Sequence, residues 1–399
     1  MRFKNKGRKI YKTKEKNYYG KSPVGKAFSV GLTVLLLGGI GFIGYSVAEP
    51  LLKYSKKTGD SDIPQPTTMA TEPVTDDDNN PINGESDSGL DNSTLEPVCG
   101  YALSVNDMVN RDILRTALKR IPEDKSIEYV QVPLKASGGK IYYSSNVFTA
   151  VQSGAVQGEM PLGEIASAII QEGYKPMALV SIFNDNIAPA AFQDLGYLIQ
   201  SDGTQWLDNR PESGGKPWLS PFSQTAISYN INVIDEISGS GFSKVVCSDF
   251  VFPEFRDSDV ELLGDSVVSS DRYMTLTSAA NTFYEHITGK GSTMLLEVSA
   301  ADILSGKSDI MQPMLLKVNT IVLSIDLDKI RYGVFTGDTV YEFSGTPAEN
   351  VSKMLDLISD SISGLNVVVK ITAQNYNQSD IDKAIEILAE HNINSYIIT

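Results

Sequence analysis

The chain has 399 residues and a formal net charge of −15, with ten Lys and Arg but one acid before residue 27. From residue 98 onward there are 21 basic and 37 acidic side chains, a surface that repels phosphate backbones, so we expect no nucleic acid partner. With only two Cys and two His, the chain cannot build a Cys- or His-rich metal centre, although carboxylates alone could bind Ca²⁺.

The first predicted element is residues 27–48, a segment without any charged side chain. A helix of this length can cross about 30 Å of hydrocarbon. The basic tail of residues 1–26 predicts a cytoplasmic N-terminus, which places the C-terminal domain outside the cell. We therefore expect a single-pass protein of the cell membrane. A cleaved signal peptide is the alternative, because Ser46-Val47-Ala48 resembles a cleavage site.

Residues 49–97 are predicted to form a disordered linker. From residue 55 to residue 97 the chain has ten acidic residues, many Ser, Thr, Asn and Pro, and no aromatic residue. Such a segment buries too little apolar surface to offset the entropy lost on ordering. We expect a stalk that holds the following domain away from the membrane.

Residues 98–399 alternate apolar runs with helical patterns. Eight candidate strands occupy residues 98–105, 127–134, 175–183, 242–252, 292–299, 319–327, 365–372 and 394–399. Helices are predicted at 109–119, 162–171, 188–200, 224–238, 276–288, 348–361 and 379–391, the last with Ser379 as N-cap. Continuous apolar strands separated by helices indicate a parallel sheet buried on both faces. We predict an α/β fold, a (β/α)8 TIM-like barrel, with an open doubly wound sheet as the alternative.

The cysteines and histidines offer little chemistry. Cys99 and Cys247 lie in apolar strand-like segments, so we expect buried free thiols, with a disulfide as the alternative. His286 and His391 lie near helix ends, where they would interact with the helix dipole. The chain has no GxGxxG or P-loop motif, so we expect neither a cofactor nor a bound metal.

Several short motifs follow one another in a recognisable order along the predicted barrel. They are Gly100-Tyr101, Lys135, Gly138-Gly139, Ile141-Tyr142-Tyr143-Ser144-Ser145, Ile182-Phe183-Asn184-Asp185-Asn186-Ile187-Ala188, Trp206-Leu207-Asp208, Trp218-Leu219-Ser220-Pro221, Tyr229-Asn230-Ile231, Gly241-Phe242, Asp249-Phe250-Val251-Phe252-Pro253 and Ala373-Gln374-Asn375-Tyr376. Together they resemble the bacterial putative glycosyl hydrolase domain family, over roughly residues 98 to 399. The resemblance implies a TIM barrel related to glycosidases.

Two of the family's motifs differ in this chain. The family has aspartate-x-lysine after strand 2, where this chain has Pro133-Leu134-Lys135. At the end of strand 4, alignment on Phe252-Pro253 puts Ser248 at the family's aspartate and Val251 at its arginine. Asp249 is thus shifted by one residue, which in a regular strand turns its side chain to the other face. A bulge at Cys247-Ser248 could restore its direction.

Because TIM-barrel active sites lie at the carboxyl ends of the strands, the acids and aromatics there are the candidate site. Glycoside hydrolysis needs two carboxyl groups, and the pair we predict is Glu297 as acid and Asp249 as nucleophile or base. Predicted substrate contacts are Asp185, Lys135, Tyr142, Trp206 and Trp218. The competing interpretations are caps or ion pairs for the charged residues and loop packing for the aromatics. Asp302 and Asp326 are weaker candidates, since caps explain both.

Two functions fit these residues. The first is a membrane-anchored extracellular glycoside hydrolase that acts on a cell-envelope or environmental polysaccharide. The second is an inactive barrel that binds glycan or serves as an envelope scaffold, which the altered positions Pro133 and Ser248 favour. In both cases the expected partner is a polysaccharide or glycan, together with the membrane through residues 27–48.

Overall fold

The computed structural model of the chain describes residues 96–122, 126–269, 271–310 and 313–399. Eight of the strands in these ranges are parallel and close into a barrel. They are β1 (Cys99–Ala102), β2 (Tyr129–Lys135), β3 (Lys175–Ser181), β4 (Lys244–Ser248), β5 (Thr293–Ser299), β6 (Thr320–Asp326), β9 (Asn366–Thr372) and β10 (Tyr396–Ile398). Each of the eight predicted strands overlaps one of them, and only β2 extends beyond its predicted range, by the single residue Lys135. The predicted (β/α)8 barrel is therefore confirmed.

Helices connect the strands on the outside of the barrel. They are α1 (Arg111–Leu118), α2 (Phe148–Gln152), α3 (Leu162–Gln171), α4 (Ala188–Ala191), α5 (Gln224–Ser238), α6 (Asp257–Leu263), α7 (Asp271–Gly289), α8 (Ala300–Ser305), α9 (Leu327–Ile330), α10 (Pro347–Ile358) and α11 (Gln378–Glu386). The apolar faces of these helices pack on the outer face of the strands. Strand residues are therefore buried from both sides, which explains their continuous apolar runs.

The interior of the barrel is a packed core of its own. It is filled by Val98, Tyr129, Met177, Val246, Leu295, Val322, Val368 and Ile397, one from each barrel strand or its flank. Side chains alternate along a strand, so the next inward positions towards the carboxyl ends lie two residues later. Glu297 and Lys370 occupy such positions, two residues after Leu295 and Val368. The apolar plug thus ends in a polar layer.

Some predicted boundaries were wrong. The helix predicted at residues 188–200 ends as α4 at Ala191, because Gly196 and Leu198 pair with other loop residues, Leu219 and Gln205. The cap of the last helix is Asn377, whose side chain accepts from the Asp380 N–H at 3.0 Å, and Ser379 lies inside the first turn.

Several elements were not predicted: the short helices α2, α6, α8 and α9, and a β-hairpin. The strands β7 (Val334–Thr336) and β8 (Thr339–Tyr341) form an antiparallel hairpin between β6 and β9. Each has only three residues, too few for a strand pattern to stand out in the sequence.

Both cysteines are free thiols, so the alternative of a disulfide is excluded. Cys247 is fully buried in β4, and this burial raises the pKa of its thiol well above the ordinary value. Cys99 is half-buried in β1. His286 lies in the last turn of α7, where its Nδ1 is 3.3 Å from Asp235 Oδ1.

The predicted tail of residues 1–26 and membrane segment of residues 27–48 lie outside the described residues, as does the linker of residues 49–97 apart from its last two residues. Within the described ranges, no helix is both long enough and apolar enough to cross a membrane.

Candidate functional site

A cavity of about 390 Å³ opens at the carboxyl ends of β4, β5 and β6. We call it the mouth cavity. Its acidic lining residues are Asp249, Glu297, Asp302, Asp309 and Asp326. The predicted catalytic residues Asp249 and Glu297 therefore lie at one cavity, at the end of the barrel where TIM-barrel sites form.

Asp249 reaches the mouth by an unusual backbone turn. The pairing of β4 with β3 is regular up to Ser248, so the bulge considered at Cys247-Ser248 is absent. Asp249 itself has a φ of +57°, a left-handed conformation that non-glycine residues adopt infrequently. Its Oδ2 accepts hydrogen bonds from Ser137 Oγ at 2.6 Å and Ser181 Oγ at 2.5 Å. The turn thus directs the carboxylate towards the ends of β2 and β3.

Glu297 is held inside the barrel by Lys370. The Lys370 Nζ lies 3.2 Å and 3.0 Å from the two carboxylate oxygens of Glu297, across β6. The Lys370 and Glu297 side chains are 9% and 15% exposed, so the ion pair is mostly shielded from water but open to the mouth.

The ion pair separates two cavities. Glu297 lines the mouth cavity, and Lys370 lines a second cavity of about 460 Å³ beside β1, β2 and β9. A cavity of about 690 Å³, larger than these two, lies at the amino-terminal face near Val98 and Lys244. That face is where a TIM barrel carries stability rather than chemistry, so the two cavities beside Glu297 and Lys370 are the better candidates.

Asp309 is a mouth residue that we did not predict. Burial raises the pKa of this carboxyl, although the Arg272 guanidinium 3.0 Å away and the Phe252 N–H oppose the increase. The nearby Asp302 carboxylate adds to the raised pKa. Asp309 lies in the loop after α8. The one sequence signal that could have identified it is that this loop follows the carboxyl end of β5.

The predicted substrate contacts Asp185 and Lys135 lie elsewhere. Their side chains are 0% exposed, and Lys135 Nζ is 3.1 Å from Asp185 Oδ2. Lys135 Nζ also donates to Ser181 O at 3.0 Å, to Ile182 O and to Asn230 Oδ1 on α5. The register between β2 and β3 shifts between Pro133 and Lys135, which turns Lys135 away from the interior. This ion pair favours a structural role over sugar contact.

Asp185 also organises the loop around it. Its Oδ1 accepts from the Ile187 and Ala188 N–H groups at 2.9 Å and 3.0 Å, which caps α4. Gly139, with a φ of +95°, passes so close that a Cβ there would lie 2.1 Å from Asp185 Oδ1. Burial, followed by the charge of Asp185, raises the pKa of Tyr229 well above its ordinary value. The glycine turn and the buried acid therefore fit one another.

The predicted aromatic contacts are packed into the protein. Trp206 is buried against Tyr197 and Phe255, with ring centroids 5.8 Å and 5.3 Å away. Trp218 is half-buried and donates from Nε1 to Asp208 Oδ2 at 3.0 Å. Tyr142 is half-buried against the outer core. Packing of the long loops accounts for all three, and their contact with sugar stays a prediction.

Of the two weaker candidates, Asp326 is a helix cap, as the alternative interpretation predicted, whereas Asp302 is not. Asp326 is the N-cap of α9 and accepts from the Lys329 N–H at 3.1 Å. Asp302 lies in the first turn of α8. In the described residues, no group of three or more His, Cys, Asp or Glu side chains converges as metal ligands.

The family model described as a putative glycosyl hydrolase domain matches residues 101–302, half of the chain. No curated protein is significantly similar to the chain in sequence.

Among solved structures, the PgaB (BpsB) glycoside hydrolase domain from Bordetella bronchiseptica has a TM-score of 0.53 at 11% identity, covering 76% of this chain and 94% of that one. The PelA glycoside hydrolase domain from Pseudomonas aeruginosa, in a variant form, gives 0.38 at 11% identity, with coverage of 76% and 94%. A hypothetical protein from Ruminiclostridium thermocellum gives 0.40 at 16% identity, with coverage of 49% and 96%. The first of these likenesses supports the fold.

The barrel, its strand order and the family match agree with one another. The chain belongs to the putative glycosyl hydrolase domain family.

Proposed function

We propose that the barrel is a glycoside hydrolase that cleaves a polysaccharide at the mouth cavity. The observation that carries this proposal is that Asp249 and Glu297, from neighbouring strands, line the same cavity at the carboxyl end of the barrel. Hydrolysis of a glycosidic bond requires one carboxyl group to protonate the leaving oxygen and another to attack the sugar or activate water. Membership of the family supports the same chemistry.

In this proposal Glu297 is the acid and Asp249 the nucleophile or base. Ser137 and Ser181 donate hydrogen bonds to Asp249 Oδ2 and hold this carboxylate in place. To act as an acid, Glu297 must present a carboxyl oxygen to the leaving group, but both of its oxygens contact Lys370 Nζ. We therefore propose that substrate binding moves Lys370 Nζ towards the second cavity, which Lys370 already lines.

A long substrate fits the arrangement better than a small one. The mouth cavity and the second cavity lie on the two sides of the Glu297–Lys370 pair, so sugars on both sides of the scissile bond have space. We propose a cell-envelope or environmental polysaccharide as the substrate. We also propose that residues 27–48 anchor the protein in the cell membrane and that residues 98–399 form the extracellular domain.

A barrel that binds glycan without cleaving it is the second candidate. The observation that favours it is that both oxygens of Glu297 contact Lys370, so that neither oxygen is free to contact a leaving group. In that case the mouth would still bind sugar, but no reducing ends would appear.

Reducing-end release from a panel of cell-wall and environmental polysaccharides tests the two candidates. The full chain should release reducing ends from at least one polymer, and a variant carrying both Asp249→Asn and Glu297→Gln should bind that polymer without releasing any. Release by the double variant at the wild-type rate would overturn the assignment. Binding by the wild type without release from any polymer would favour the second candidate.

A further inference from the structure

The hairpin of β7 and β8 exposes aromatic side chains beside the mouth. Phe335 on β7 and Val340 on β8 are cross-strand partners, and Tyr332 lies two residues before β7. Tyr332 is 70% exposed and Phe335 is 59% exposed. We call Tyr332, Phe335 and Val340 the hairpin platform. A regular (β/α)8 barrel does not need this hairpin, so its exposed apolar surface calls for a separate explanation.

The hairpin is fixed to the barrel beneath the platform. Val334 is buried, and Thr336 Oγ1 donates to Leu304 O of α8 at 3.2 Å. Gly333 has a φ of +88°, and a Cβ there would lie 2.9 Å from Val340 Cγ1. Only glycine satisfies both constraints without strain. The platform therefore has a defined position rather than that of a loose loop.

Arg331 orients the Tyr332 ring. Its guanidinium lies 4.6 Å from the ring centroid, and it donates a hydrogen bond to the Tyr332 hydroxyl. One face of the ring is thus covered by the cation, while most of the side chain remains exposed. A ring held in this way loses little conformational entropy when a ligand stacks on it.

Two segments of the chain connect the platform to the lining of the mouth cavity. Lys329 and Ile330, which line that cavity, directly precede Arg331 and Tyr332 in the chain. Ala301 and Asp302, which also line it, belong to α8, the helix on which the hairpin is anchored. A polymer that leaves the cavity on this side would therefore pass beside the platform.

We propose that the hairpin platform is a sugar-binding subsite that holds the polysaccharide beyond the mouth cavity. The proposal deepens the proposed function, on which it rests for the class of ligand. Pyranose rings offer apolar C–H faces that pack on exposed aromatic rings, and their hydroxyl groups remain in water. The aromatics predicted from the sequence for this purpose, Trp206 and Trp218, are buried or half-buried, whereas Phe335 and Tyr332 present accessible surface.

Two variants of the full chain test the subsite. Phe335→Ala and Tyr332→Ala remove the exposed rings without touching a residue of the mouth cavity. Phe148→Ala is the matched control, because Phe148 is 69% exposed on α2, which follows β2, on the opposite side of the barrel from β6. Binding to the soluble polysaccharide panel and KM on long and short substrates are measured for each variant.

Each platform variant should weaken polysaccharide binding, or raise KM on the long polymer, by about tenfold. Short oligosaccharides that fill only the mouth cavity should be processed at the wild-type rate, and Phe148→Ala should match the wild type. If the wild type hydrolyses the polymer but Phe335→Ala and Tyr332→Ala change neither binding nor KM, the subsite is overturned and the proposed function stays intact. Binding that depends on Phe335 without any hydrolysis would support the subsite and refute the proposed hydrolase.

Sedimentation of the same variants tests a competing occupant, a second copy of the chain. If Phe335→Ala converts an oligomer into a monomer and leaves glycan binding unchanged, the platform is a self-association surface and the proposal is wrong. If the wild type binds no polysaccharide in the panel, both the subsite and the proposed function fail.

Discussion

The barrel contains two pairs of lysine and acid with the same chemistry and different surroundings. Lys135 and Asp185 lie 3.1 Å apart on the outer side of the strands, next to α5, and neither side chain has exposed surface. Lys370 and Glu297 lie 3.0 Å apart inside the barrel, and each keeps some exposure. The first pair is enclosed by α5 and the glycine turn, whereas the second lies between two cavities.

The two pairs differ in how many other contacts hold them in place, and this difference separates a structural pair from one that can take part in chemistry. The buried lysine donates to two backbone carbonyls and to Asn230, and Asp185 caps a helix, so moving either would break several contacts. Glu297 has Lys370 as its charged partner, and both groups border open space. Such a pair has space in which to rearrange around a ligand.

Removing the acid of the enclosed pair should have the largest effect on stability. Asp185→Ala leaves the Lys135 ammonium buried without a counter-charge, which we expect to lower the free energy of unfolding by about 3–5 kcal/mol. Urea denaturation followed by circular dichroism measures the change. Glu297→Ala is the comparison and should cost less, because Lys370 borders a cavity that water can enter. Equal losses of unfolding free energy in Asp185→Ala and Glu297→Ala would contradict the claim that the two pairs differ in how firmly they are held.

The glycine turn beside Asp185 gives a smaller effect of the same kind. Gly139→Ala places a methyl group against the Asp185 carboxylate at a positive φ, and we expect a loss of about 1–3 kcal/mol. Gly138→Ala is the matched control, since Gly138 also has a positive φ of +89° but nothing within 4 Å of its Cβ position. The control should lose less free energy of unfolding. The difference between the two variants measures the cost of the close contact between a Cβ at residue 139 and the Asp185 carboxylate. Equal losses in the two variants would mean that the Asp185 carboxylate can move aside without a cost in stability.

The mouth should respond to pH through Asp309. Its pKa is raised by burial above the ordinary value of 3.8, so the protonated form is favoured by folding. The stability that this form contributes is complete below pH 3.8 and is lost as the pH rises through the raised pKa. The stability of the wild type relative to Asp309→Asn should therefore fall as the pH increases from about 3 to 6. Unfolding curves across this range check the sign, and a pH-independent difference would contradict it.

The strands could be predicted because their cause is local. Residues buried on both faces must be apolar, and all eight runs stand out between polar segments. Helices α3 and α5 have the predicted bounds, since their apolar patterns end at loop signals. The hairpin platform lies on strands of three residues, which carry no such pattern.

The directions of side chains at the rim could not be predicted. A register shift after Pro133 turns Lys135 outward, and a left-handed residue after β4 redirects Asp249. Both are local irregularities of the backbone. The prediction assumed that side chains alternate strictly along a strand, and the sequence does not show where this alternation breaks. The pairing of Glu297 with Lys370 joins residues 73 positions apart and depends on closure of the barrel.

The most direct test of the account is the turnover of Glu297→Gln on a polysaccharide that the wild type hydrolyses. We predict that kcat falls by about 10²–10⁴-fold, because the amide can neither donate nor carry the proton. Glu285→Gln is the control, since Glu285 forms an exposed pair with Lys317 on the outside of the barrel, and it should retain wild-type turnover. Unchanged turnover in Glu297→Gln would contradict the claim that the mouth carboxylates perform the chemistry.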